Sequence, residues 1–244
     1  MLLFALWLLM LIEFNKSDCR RISRRSHRSQ SRDTRKIDLM TEALENELKR
    51  AQEVHRLTAA ALVGDYSVDR RGSLFAAFVS LCMSHHKSMM LLIQDVQLTS
   101  SAFALARPLV EAVCRGMFVG YEADDRQLQA IVNGAEPFPP FKQLIALLDA
   151  RLGAPGLFTQ YSEVWRSLND FSHGGLFQLS AHIDENGFVG SSHSEEELRN
   201  LLVGSTSALM RIATAFLGNL KSPEASESLG SRFVALYAKP PTIN

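Results

Sequence analysis

The sequence predicts an all-α fold, a single helical bundle, on three observations. Apolar residues recur at three- and four-residue spacing, as in Leu44, Leu48, Ala51, Val54, Leu57 and Leu62. No segment sustains strict apolar–polar alternation, and no βαβ rhythm or internal repeat is present. Finally, 244 residues with 46% apolar and 21% charged content suit one sizeable folded core and exclude a disordered chain.

Residues 1–39 stand apart from the rest. Met1 to Ile12 is wholly apolar but too short to span a bilayer, which takes about 20 residues. No basic segment precedes the run and no small-residue cleavage site follows it, so it fits a signal peptide poorly. A basic, serine-rich stretch from Lys16 to Lys36 follows, giving residues 1–39 nine Lys and Arg against four acids. Together the two could tether the chain weakly to a membrane surface, or the basic stretch could touch nucleic acid. The plainer expectation is a disordered extension, or translated sequence upstream of a native start at Met40, with residues 40–244 forming the helical bundle domain. That body carries 17 bases and 22 acids, a mildly acidic balance that argues against a broad DNA-binding face.

Within the body, the spacing predicts a helix over 38–63 and a polar break at 64–72. A long helix over 73–98 follows, then a third over 99–123 that is kinked by Pro108. Asp124-Asp125 opens a short helix ending at Asn133-Gly134, and Pro137, Pro139 and Pro140 make the next loop. Helices are expected at 141–152 and from about 157 to Gly174-Gly175, a natural C-terminal stop. Residues 176–190 read as a short hairpin or an irregular excursion. Ser194 followed by three glutamates starts a helix running to about 220, and a last one covers 224–238. The cysteines Cys19, Cys82 and Cys114 lack metal-type spacing; Cys82 and Cys114 read as buried free thiols, which suits a reducing cytoplasm.

Two polar signatures carry the chemistry. On the third helix, Arg107, Glu111 and Arg115 stand four apart on one stripe of an otherwise apolar surface. Glu111 preceding Arg115 is the favourable order for an ion pair, and Arg107 preceding Glu111 the poorer one. On the later helix, Asn169 and His173 share a face, as do Arg166 and Asp170, and Arg166 and His173 lie two turns apart. An Arg that grips a phosphate and a His that titrates near neutrality form a minimal phosphodiester-cleaving pair. Equally, His173 beside Gly174-Gly175 can simply cap the last carbonyls of its helix. His85 and His86 point about 100° apart and cannot share one metal; one is expected in the core and the other outside it. No phosphate loop, dinucleotide fingerprint or zinc motif is present, so neither a cofactor nor a metal is expected.

The run from Ser101 through Arg107-Pro108-Leu109-Val110-Glu111-Ala112, with Asn169-Asp170-Phe171-Ser172-His173-Gly174 later, resembles a group of uncharacterised all-helical bacterial proteins. Their members carry an Arg-Pro-x-x-Glu-Ala helix and a helix ending in His-Gly. The resemblance covers about residues 40–220 and implies the same fold without an activity. More distantly, the chain is similar to HEPN domains, whose signature is an Arg separated from a His by four to six intervening residues. Here Arg166 and His173 are separated by six, with Ser167 after the Arg. That similarity implies a metal-independent ribonuclease, a toxin or phage-defence effector acting as a homodimer on RNA. Arg166 would hold the phosphate and His173 would move protons, with Asn169, Asp170, Glu111 and Arg115 orienting them. The competing expectation is a cytoplasmic, non-catalytic binding or interaction module in which the same residues form an internal polar network.

Overall fold

A computed structural model describes residues 40–238 apart from 64–67, 96–97, 154–155, 181, 184–192 and 221–222. The apolar and basic run before residue 40, with the membrane and nucleic-acid readings attached to it, lies outside the described residues. Among those described, ten helices form and no sheet does. They are α1 (Glu42–Leu62), α2 (Arg70–Ile93), α3 (Thr99–Ala104), α4 (Ala106–Tyr121), α5 (Asp125–Val132), α6 (Phe141–Arg151), α7 (Thr159–Ser172), α8 (Leu176–Ser180), α9 (Glu195–Leu220) and α10 (Pro223–Ala238). The protein is an all-α bundle.

Local chemistry places the helix starts. Thr41 caps α1 by accepting from the Leu44 amide at 3.3 Å. The Asp69 carboxylate accepts from the Gly72 amide at 2.8 Å, so α2 begins at Arg70, ahead of the expected 73. Asp124 and Gln127 close a reciprocal capping box at α5, and Ser194 with Glu197 does the same at α9. Of the two alternatives for 176–190, the first five residues coil into the single turn α8; residues 184–192 lie outside the described set.

The expected third helix is two helices, α3 and α4, parted at Leu105. Pro108 has no N–H to give the Ala104 carbonyl, and its ring crowds that same carbonyl. The chain turns at this point and resumes as α4. That helix runs through the core, packed against α2, α6, α7 and α9, with Leu109, Val113, Cys114, Met117 and Val119 buried. Cys82 and Cys114 are indeed buried free thiols, and burial pushes both well above the ordinary thiol range. A smaller apolar cluster joins α1, α9 and α10 through Val54, Leu57, Met210, Leu217, Leu229 and Phe233. Both α2 and α9 are long and apolar enough to cross a membrane by length and composition, but both pack into the bundle.

Close approach of α4 to its neighbours depends on Gly116. A Cβ there would lie 2.7 Å from Ile212 Cδ1 on α9 and 2.8 Å from Phe78 Cβ on α2. Alanine is normally about 1 kcal/mol better than glycine inside a helix. Overpacking outweighs that gain, because Phe78 Cβ is fixed to its backbone. Gly116→Ala is therefore expected to lower stability by about 1–3 kcal/mol, read as a lower urea midpoint at unchanged m.

The adjacent histidines divide as expected. His86 is fully buried and His85 lies partly open. His86 Nε2 meets Thr206 Oγ1 at 3.0 Å, and its Nδ1 faces His55 Nδ1 at 3.3 Å. Burial, with His55 alongside, pushes its pKa down to about 3. An unfolded chain takes up that proton near pH 6.5. Stability from a neutral His86 is complete above about pH 6.5 and is lost as pH falls toward 3, by up to about 1.4 kcal/mol per unit. Urea titrations at successive pH values should show the wild type falling more steeply with acid than His86→Gln; parallel curves would contradict a buried neutral imidazole.

Candidate functional site

The two polar signatures meet at the break between α3 and α4. The carbonyl of Ala104, left without a helical donor by Pro108, accepts from the Ser172 hydroxyl of α7 at 3.2 Å, a proton shared with Leu168 O at 2.9 Å. Phe103 and Phe171 stack beside this bond with centroids 5.0 Å apart. The last turn of α7 is thereby seated on the end of α3, just before α4 begins. Gly174, at φ +67°, ends α7, and the Gly175 amide returns to the Asp170 carbonyl at 2.7 Å. Gly175 must be small, since a Cβ would lie 2.8 Å from the Asp170 Cα.

With the helix ends joined, Arg107 becomes the hub. Its Nε and Nη2 both donate to Glu111 Oε1, at 3.2 and 3.1 Å, and its Nη1 donates to His173 Nε2. Its guanidinium lies over Trp165 at 5.2 Å, and Trp165 stacks on Phe141 with centroids 3.5 Å apart. Accepting from Arg107 places the proton of neutral His173 on Nδ1. His173 is exposed, so this contact stands at the mouth of the site. The expected cap is made by the Gly174-Gly175 backbone, which leaves the imidazole free to turn to Arg107.

The ion pair on the stripe is the one the helix alone disfavours. Glu111 joins Arg107, held in place by Trp165 and His173, and not Arg115. Arg115 turns to the loop before α6, where it lies 4.9 Å over Phe138 and reaches Glu136 only loosely, at 3.8 Å. Between Glu111 and Arg115 opens a pocket of about 240 Å³, walled by Phe138, Pro139, Pro140, Phe141 and Leu144, with the Glu136 carboxylate at its edge. Among the described residues no hydrogen bond reaches Glu111 Oε2. The pocket thus carries an unused acceptor and an under-used planar donor on apolar walls.

The other expected residues are placed differently. Arg166 is exposed on α7, about 10 Å along the helix from His173 at 1.5 Å per residue, and among the described residues it forms no ion pair with Asp170. The arginine at His173 is Arg107. Asn169 is half-buried; its carbonyl accepts from the His173 amide, while its Oδ1 is buried with no partner among the described residues. Asp170 serves the turn at Gly175. Among the described residues no group of three His, Cys, Asp or Glu side chains comes within metal-binding range.

A family model described as "Family of unknown function (DUF6988)" matches residues 79–234, more than half of the chain. The chain belongs to this family. No curated protein and no solved structure matches it. The matched span of the DUF6988 chain holds Arg107, Glu111, Arg115, Trp165 and His173 together, from α2 to the middle of α10.

Sequence reasoning passed over the groups that make this corner rigid. Trp165, Phe138 and Phe141 are spaced as ordinary core aromatics, yet they are the surfaces on which the two arginines lie. Asp149 is buried and accepts from the Phe158 amide at 2.6 Å and from the Thr159 amide and hydroxyl at 3.1 and 2.6 Å, fixing the turn into α7. Buried Arg211, in the apolar run of α9, donates to Leu157 O and lies over Phe158 and Tyr161. A lone charge within an apolar helical run was the available signal for both Asp149 and Arg211.

Ser172→Ala is expected to cost about 1 kcal/mol, the net worth of a buried hydrogen bond. In a Pro108→Ala background the restored amide can serve Ala104, so the Ser172 cost should shrink. A double-mutant cycle by urea denaturation reads this directly; equal costs in both backgrounds would separate Ser172 from the proline break.

Proposed function

We propose that the DUF6988 chain is a non-catalytic binding module whose ligand enters the pocket between Glu111 and Arg115. One observation carries this reading. Two opposite charges, four residues apart in the order that favours pairing, face a pocket without pairing to each other. Keeping them apart forgoes an ion pair and holds a donor and an acceptor ready for a third group. Arg107 supports the site: with Glu111, His173 and Trp165 engaged at once, it serves as a fixed strut.

The test is ligand retention. Protein released under denaturing conditions after purification from a bacterial lysate should yield a small molecule detectable by mass spectrometry. The same molecule should be depleted from an Arg115→Ala variant and should raise the melting temperature of the wild type when added back. Equal small-molecule content in both proteins, with no thermal shift, would overturn the reading.

The exposed imidazole of His173 against an arginine favours a second reading, a HEPN-like metal-independent ribonuclease. It requires Arg107 in the phosphate-binding place that the motif spacing assigns to Arg166. Neutral His173 with its proton on Nδ1 and a free edge in solvent is suited to proton transfer. This reading expects cleavage of total bacterial RNA in chelator, reduced at least about a hundredfold in a folded His173→Ala variant. Cleavage unchanged by that substitution would remove it.

A further inference from the structure

We infer that the pocket between Glu111 and Arg115 takes a guanine base. This rests on the binding-site reading above and adds the ligand class. The polar groups set four residues apart along α4 are an acceptor, Glu111 Oε2, and a planar donor fork, Arg115; a second carboxylate, Glu136, lines the pocket from the loop before α6 and reaches Arg115 only at 3.8 Å. A ligand that satisfies both must present two acceptors to the fork and donors to the carboxylate on an adjoining edge. Guanine does so: O6 and N7 receive an arginine fork, and N1–H and the exocyclic N2 amine lie next along the ring and donate to a carboxylate. Adenine places its N6 amine where the fork needs an acceptor, so donors oppose donors. Uracil and cytosine have no N7 for the second arm of the fork.

Size and walls agree with a base. At about 240 Å³ the pocket is smaller than the cavities that hold drug-sized ligands, about 300–1,000 Å³, and suits a single flat ring system. Pro139, Pro140 and Leu144 present apolar surface to such a ring. Glu111 also touches Arg107, which in turn touches His173, so the base and the open Arg107–His173 edge lie on connected side chains.

Trp165, stacked on Phe141 at the pocket wall, provides the readout. The full 244-residue chain would be titrated with GMP, AMP and guanosine while tryptophan fluorescence is followed, with calorimetry as a second measure. GMP should bind at least about tenfold tighter than AMP, the lower part of the range that one bidentate base contact supplies. Arg115→Lys keeps the charge, loses the fork and leaves the Arg107–Glu111 pair alone; it should remove most of that preference without lowering the melting temperature. Glu111→Gln should also remove most of that preference, and because it breaks the ion pair to Arg107 its melting temperature is expected to fall while circular dichroism still shows a helical fold.

The source of the base is separated by a short single-stranded RNA containing one guanosine and its adenosine counterpart. Tighter binding of the guanosine strand than of GMP places the base within RNA, and weaker binding places it in a free nucleotide; either supports the inference. AMP bound as tightly as GMP, or no binding by any of these probes, overturns the guanine assignment. The binding-module reading is decided separately, by ligand retention in the Arg115→Ala comparison.

Discussion

One missing hydrogen bond organises this bundle. Pro108 cannot supply an N–H to the Ala104 carbonyl, and a bare carbonyl inside a packed protein is costly. Ser172 provides the replacement from another helix, 68 residues later in the chain. That bond, with the Phe103–Phe171 stack beside it, seats the end of α7 on the end of α3, beside the start of α4. The positions of Arg107 and His173 follow from this junction. A continuous helix would have satisfied Ala104 internally, and nothing would have called for a hydroxyl from α7.

The junction also explains which ion pair forms. In an isolated helix Glu111 would favour Arg115, by a few tenths of a kcal/mol. Tertiary surroundings offer Arg107 a tryptophan face, a carboxylate and an imidazole at once, and the sum exceeds that small preference. Arg115 is released to the loop before α6, and the space between it and Glu111 becomes a pocket. A weak local rule yields to several modest contacts acting on one rigid side chain.

Much of the helical layout was legible because its signals are local. Asp124 and Ser194 mark helix starts through their own carboxylate or hydroxyl, and Gly174 marks an end through its positive φ, whereas the first helix, expected from 38, starts only after its Thr41 cap. The break at Leu105 was half legible, since Pro108 announced a kink but not a separation into two helices. Arg107, Glu111, Arg115 and His173 were recognised as unusual by type and spacing. Their partners were not: Arg166 stood closer to His173 along the chain, yet the arginine beside it is 66 residues away. Trp165 was passed over because it is spaced as an ordinary core aromatic, and Asp149 and Arg211 because a single charge in a helix does not name its partner.

By itself, then, the sequence determined the helical class, most helix ends, the buried thiols and the presence of two polar segments on apolar helices. Each follows from periodicity, capping chemistry or proline geometry, which act within a few residues. Only the tertiary structure decided that the two segments touch, that Arg107 and not Arg166 faces His173, and that Glu111 and Arg115 stand apart across a pocket. Those outcomes depend on which unsatisfied group from one helix comes within about 3 Å of a matching group on another. Spacing along a chain does not encode that distance.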